Sequence, residues 1–263
     1  MTAIELKGVS KKFRRHSERP PITTLKSYLL RDLWRHRKPT EGVNWALKDV
    51  DLKVEKGMTL GIIGRNGAGK STLLKLIGRI LRPDKGTVTV QGKVASIIEL
   101  GAGFHPELTG RENVMINGIV LGLSKSEIKA RLDEIVDFSE LQDRIDDPVR
   151  TYSTGMYMRL GFSVAVHVDP DILLLDEVLA VGDAGFTRKC MGRMKHFKRM
   201  GRTIILVSHN LATIRTWCDE ATWLHEGTLR MSRSPMDVVD AYLAAINGAD
   251  AALAEPAAGG LAR

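Results

Sequence analysis

The spacing of apolar positions changes several times along the chain, and each change marks an element. "IELKGVSKKF" (4–13) reads as a strand leading to an exposed turn, and "WALKDVDLKV" (45–54) as a second, through Leu47, Val50, Leu52 and Val54. Such alternation lays one strand face on a core and leaves the other in water. "MTLGIIG" (58–64), "DILLLDE" (171–177) and "TIILVSH" (203–209) are instead short apolar runs, the pattern of strands buried on both faces. "STLLKLIGRIL" spaces Leu73, Leu76, Ile77 and Ile80 at helical intervals, while "GTVTVQGKV" (86–94) reads as one more alternating strand. Residues 109–141 are helical in pattern, with Ser124 and Glu127 making a capping box ahead of Ile128, Leu132, Ile135 and Val136. A further helix over about 184–200 stops at Gly201, another covers 234–246, and the Ala/Gly-rich remainder, 247–263, reads as a disordered tail. Strands alternating with helices predict an α/β fold whose parallel sheet is covered on both faces.

Charge adds a local feature that this pattern does not explain. The chain of 263 residues, 43% hydrophobic, carries a net +8. Residues 11–38 hold ten Lys/Arg against Glu18 and Asp32, so this segment alone supplies +8 and the remaining 29 bases and 29 acids cancel. Within it, "LKSYLLRDLWRHRKP" (25–39) places Leu25, Leu29 and Leu33 on one helical stripe, with Tyr28 and Trp34 at its margins and Arg31, Arg35, Arg37 and Lys38 around it. A basic amphipathic helix with a Trp suits lipid headgroups or a membrane subunit; the plainer reading is a surface excursion whose apolar face caps the sheet. Cys190 and Cys218 have neither metal spacing nor a disulfide framework, which suits a reducing cytoplasm. There is no apolar run of the roughly 20 residues that span a bilayer, and no signal-peptide pattern at the start.

The chemistry is carried by ordered motifs. "GRNGAGKS" (Gly64, Arg65, Asn66, Gly67, Ala68, Gly69, Lys70, Ser71), followed by Thr72, fits a phosphate loop and lies where one must, between a strand and a helix. Its glycines let backbone N–H groups curl around a β-phosphate, Lys70 reaches the β/γ oxygens, and Ser71 offers a hydroxyl to Mg²⁺. "ILLLDE" ends a buried strand in two carboxylates: Asp176 to hold Mg²⁺ through a water, Glu177 to polarise the attacking water. His209, at the end of the next strand, is placed to contact a γ-phosphate. "TYSTGMYMRLGFSVAV" opens a helix with Ser153-Thr154-Gly155, a second anion site 23 residues before Asp176.

These motifs in this order resemble the ABC-type ATPases, over about residues 3–235. The family's signature loop, usually L-S-G-G-Q, stands here as Tyr152-Ser153-Thr154-Gly155-Met156. The resemblance implies an α/β fold with a RecA-like core, an antiparallel β subdomain and a helical signature subdomain over about 104–165. It places one nucleotide-binding domain over 1–246, interrupted by the basic insertion at about 18–43. It also implies a homodimer in which the signature of one subunit closes on ATP held by the other, with Asp183 of "AVGD" as the D-loop acid. Phe13 matches the family's adenine-stacking aromatic, with Trp45 as the alternative. Where the family has a Gln that contacts Mg²⁺ and water, Leu100 stands here; the neighbouring Glu99 takes that role if the loop slips by one residue.

The STG signature, the loop "IIELGAGFHPELTGREN" and the insertion together look like the ATP-binding subunits of exporters of lipid-linked polysaccharide: O-antigen, capsule or teichoic acid chains. That resemblance implies ATP and Mg²⁺ as cofactors, a polytopic membrane permease as partner, and a peripheral place on the cytoplasmic face of the membrane. It also sets Tyr28, Arg31, Trp34 and Arg35 on the membrane-facing side. Some such exporters add a C-terminal carbohydrate-binding domain, for which the 17 residues after 246 are too few. A drug or small-lipid exporter is the alternative cargo. A soluble ATPase acting on nucleic acid is a third reading, opposed by the single cassette and the lack of coiled-coil arms.

Overall fold

A computed structural model describes residues 1–14, 43–97, 103–176 and 183–254. The chain begins with two long antiparallel strands, β1 (Thr2–Arg14) and β2 (Val43–Glu55), paired from Thr2 opposite Glu55 to Arg14 opposite Val43 with register shifts along the way. A short buried strand, β3 (Thr59–Ile63), leads into α1 (Lys70–Ile77). The run 86–94 is two strands rather than one: β4 (Lys85–Val90) closes the antiparallel sheet β2-β1-β4, and β5 (Val94–Ser96) begins the other. The chain breaks at Gly92 (φ 114°), where a Cβ would stand 2.7 Å from that of Asp171. Likewise α1 ends at Gly78, before the helical spacing fades, and Ile80 lies beyond it, half exposed.

The second sheet has the order β5-β6-β7-β3-β8-β9, with β6 (Ile172–Asp176), β7 (Thr203–Val207), β8 (Glu220–His225) and β9 (Thr228–Arg233). All its pairings are parallel except the β8–β9 hairpin. β3 and β7 are buried at every residue, as their uninterrupted apolar sequences require.

Three helices form a separate layer: α2 (Gly110–Val120), α3 (Lys125–Ser139) and α4 (Thr154–His167). The capping box of Ser124 and Glu127 is present, and a second, Thr109 with Glu112, starts α2. α4 is buried on two sides. Leu160 and Val164 pack with α2 and α3, whereas Phe162, Ala165 and Val166 pack with the parallel sheet and α5 (Ala184–Arg199). A helix apolar all round is one enclosed by other elements. α6 (Leu211–Trp217) follows β7.

The last helix, α7 (Pro235–Ala254), runs eight residues past the expected end at 246. Ala249, Ala251, Ala252 and Ala254 are strong helix formers and outweigh the Asn247-Gly248 pair, and Pro256 lies just beyond the end. Residues 255–263 of the expected tail, and the basic insertion, lie outside the described residues. Among the described residues no helix is long and apolar enough to cross a membrane.

Candidate active site

The direction of the parallel strands decides where the chemistry gathers. β3, β6 and β7 all point their carboxyl ends to one edge of the sheet. The phosphate loop after β3, Asp176 at the end of β6 and His209 just past β7 therefore meet there, although more than a hundred residues separate the loop from the other two.

The loop itself is clamped between strands. Gly64 (φ 154°) passes so close to β8 that a Cβ would lie 2.2 Å from the Leu224 carbonyl oxygen. Gly69 (φ 107°) passes equally close to β2, 2.4 Å from the Ala46 carbonyl oxygen. The Gly227 N–H, in the β8–β9 turn, donates to Ala68 O at 3.0 Å and holds the loop from behind. Lys70 is buried, and its Nζ donates to Gly64 O at 2.8 Å and Arg65 O at 3.1 Å, inside its own loop. The N-cap of α1 is Gly69, which has no side chain to offer, and no acid stands in the first turn, so the leading N–H groups suit an incoming anion.

Ser71 and Asp176 meet directly: Ser71 Oγ donates to Asp176 Oδ2 at 3.3 Å. With Asn66, Gly67, Gly69, Lys70 and Thr72 of the loop, His209, and Asn44, Trp45 and Ala46 of β2, they line a cleft of about 500 Å³. A larger hollow of about 870 Å³ lies between the β8–β9 hairpin and Ala245. Among the described residues its lining has no carboxylate and no phosphate-loop residue, whereas the smaller cleft holds both. Hydroxyl and carboxylate oxygens in contact are the hard donors that Mg²⁺ takes. No cluster of three His, Cys, Asp or Glu exists among the described residues. The donor set thus fits an ion that takes most of its ligands from phosphate and water.

The two candidate aromatics are separated by the strand ladder. Trp45 lines the cleft, with the ammonium groups of Lys12 and Lys85 each 5.8 Å from its ring centroid. Phe13, paired with Asn44 in register, is 42% exposed and lies outside that lining, under the Lys11 ammonium.

The Ser153-Thr154-Gly155 start of α4 stands apart from the cleft. Ser153 Oγ caps the helix by accepting from Met156 N at 3.2 Å, and Ser153 and Thr154 are exposed. Two arginines neutralise the other end of that helix: Arg193 donates to Val166 O and Arg131 to His167 O. Asp183 caps α5 by accepting from Gly185 N (2.7 Å) and Phe186 N (3.0 Å), and it pairs with Arg159. The two N–H donors, and then Arg159, hold its carboxyl below the ordinary range. Glu177, Glu99, Tyr28, Arg31, Trp34 and Arg35 lie outside the described residues.

A cassette assembled in this way has known relatives, and the family model described as ABC transporter matches residues 47–180. The chain belongs to the ABC transporter family. Over 252 residues it is 52% identical to the O-antigen export system ATP-binding protein RfbB of Myxococcus xanthus, covering 95% of this chain and 58% of that protein. It therefore spans less than two thirds of that relative's length. Over 197 residues it is 50% identical to the protein of the same name from Klebsiella pneumoniae, covering 75% of this chain and 80% of that one. A solved dimeric ATP-binding cassette in a post-hydrolysis state, bound to ADP and Pi, superposes with a TM-score of 0.68. The match covers 88% of this chain and 98% of that one at 23% identity, and shows the shared ABC cassette fold.

Proposed function

We propose that this ABC protein is the ATP-binding and hydrolysing subunit of an exporter moving lipid-linked polysaccharide across the cytoplasmic membrane. It works as a homodimer on the cytoplasmic face, against a polytopic permease. The observation that carries the ATPase reading is the meeting of the phosphate loop, Asp176 and His209 at one sheet edge around a single cleft. The names of the O-antigen export relatives support the cargo class.

The residues have distinct parts in this reading. Adenine stacks on Trp45, the aromatic that lines the cleft, in place of Phe13. Lys70 exchanges the neutral carbonyls of Gly64 and Arg65 for the charged β/γ oxygens, a stronger pairing. The loop N–H groups, with Arg65, Asn66, Ala68 and Thr72 around them, cradle the phosphates. Ser71 and Asp176, with Glu99 from the preceding loop, hold Mg²⁺, which when bound neutralises charge on the phosphate oxygens. Glu177, the residue after Asp176, accepts the proton of the attacking water, and His209 donates to the γ-phosphate. Ser153, Thr154 and Gly155, with Asp183, serve the ATP on the partner subunit. Tyr28, Arg31, Trp34 and Arg35 face the membrane, where an anionic lipid-linked cargo gives the basic insertion its target.

Two variants compared in cells and in vitro test the reading. Glu177→Gln should still bind ATP while hydrolysis falls roughly 100-fold or more and export stalls. Arg31→Glu combined with Arg35→Glu should lose export while the isolated subunit hydrolyses ATP normally. Normal export by Glu177→Gln would overturn the transport reading. Equal collapse of hydrolysis in the double variant would make the insertion part of the core.

A further inference from the structure

Arg159 lies about one and a half turns into α4, the helix that opens with Ser153-Thr154-Gly155. Its side chain is 18% exposed and its guanidinium forks between two carboxylates. Nη1 donates to Glu140 Oε2 at 2.9 Å, and Nη2 donates to Asp183 Oδ2. Asp183 is divided in the same way, since its Oδ1 already caps α5 and only Oδ2 turns to Arg159. Glu140 closes the far end of α3 in a left-handed conformation (φ 59°) and is also held by Lys189 Nζ at 3.3 Å. Lys189 donates on to Phe138 O at 3.0 Å, one of the last carbonyls of that helix.

Beneath these charges lies an aromatic floor. The Arg159 guanidinium sits 5.0 Å from the Phe186 ring centroid, and Phe186 meets Phe138 (5.8 Å) and Phe162 (6.1 Å) edge to face. One residue each of α3, α4 and α5 thus supplies the floor, and the same three helices supply the ions above it. Such partly exposed ion pairs add little to stability, so the value of the arrangement is geometric. A guanidinium holds two carboxylates at a fixed angle, which a single-point ammonium cannot do.

We infer that Arg159 is a positioning residue that fixes Asp183 to the signature helix. The two groups that one subunit presents to its partner's ATP, the start of α4 and Asp183, then move as one body. The inference rests on the dimer reading proposed above. It separates two properties that a single site would link: ATP binding by one subunit does not need Arg159, whereas closing two subunits on ATP does.

The test is a double-substitution cycle in the full chain. Arg159→Gln and Asp183→Asn each remove the ion pair, while the amide introduced by Asp183→Asn keeps an oxygen for the α5 cap. Each should leave ATP affinity of the isolated subunit within about two-fold, lower kcat about ten-fold, and raise the ATP needed to dimerise the Glu177→Gln background. The double variant should be no worse than Asp183→Asn alone, because Arg159→Gln removes only a pair that Asp183→Asn has already broken. Arg159→Lys should recover part of the loss. Three results would each overturn the inference: an Arg159→Gln subunit with normal kcat and dimerisation, additive losses in the double variant, or loss of single-subunit ATP affinity in step with melting temperature. Failure of the Glu177→Gln chain itself to dimerise with ATP would instead strike the reading on which this one rests.

Discussion

At the scale of single residues, backbone geometry more than side-chain chemistry makes the phosphate loop. Gly67 (φ 79°) has nothing within 4 Å of an added Cβ, whereas Gly69 would drive one into the Ala46 carbonyl at 2.4 Å and the Leu47 side chain at 2.9 Å. Gly67→Ala should therefore cost only the left-handed backbone penalty, about 1–2 kcal/mol, in a urea titration. Gly69→Ala should cost distinctly more and abolish nucleotide binding, because β2 must retreat from the loop. Equal costs would mean that the loop is not wedged between the strands. The glycine motif was legible in sequence because its spacing is the chemistry itself. Trp45 against Phe13 was not, since both alternate acceptably and only the β1–β2 register puts Trp45 on the cleft. Arg159 stood in the quoted signature stretch without a role, because its partners Glu140 and Asp183 lie 19 and 24 residues away in sequence.

At the scale of elements, α4 shows how a helix can serve both packing and chemistry. Its start is left to solvent, and its last carbonyls are met by Arg131 and Arg193. Its last residue, His167, is buried, with Nδ1 2.7 Å from Ser163 O. Burial is the main force holding that imidazole below its ordinary 6.5, and the charges of Arg193 and Arg131 press the same way. The unfolded chain therefore binds more protons than the folded one just below 6.5, so stability is full above that value and falls as the pH drops through it. Melting temperature should decline between about pH 7.5 and about pH 5.5, and His167→Gln, which keeps a donor for Ser163 O, should flatten the decline. An unchanged slope would place the proton uptake elsewhere. The buried strands and the α3 capping box were readable from apolar runs and a Ser-x-x-Glu spacing. The break of 86–94 into two strands was not, because alternation continues across Gly92 and only the crowding against Asp171 forces the change of sheet. The β8–β9 hairpin also escaped: Glu226-Gly227 is a turn, but its flanking strands alternate weakly.

At the scale of the whole molecule, one subunit carries a phosphate-loop cleft and, outside it, the Ser153-capped start of α4. The phosphate loop opens on the cleft with Asp176 and His209, and the start of α4 stands outside that cleft. In the proposed reading such a chain completes its catalytic centre by pairing, with each subunit lending its signature to the other's ATP. In the sequence this expectation comes from the resemblance of the ordered motifs to the ABC-type ATPases, with Ser153-Thr154-Gly155 at the family's signature position. The most direct measurement mixes two inactive variants. Lys70→Ala loses its own phosphate loop but keeps a sound signature, and Ser153→Arg keeps the loop but spoils the signature. Alone, each should hydrolyse almost no ATP. Mixed in equal amounts, they should recover up to roughly a quarter of the unsubstituted rate, as half the dimers would hold one complete site of two. A mixture as inert as its parents, or a Ser153→Arg chain active by itself, would contradict the account.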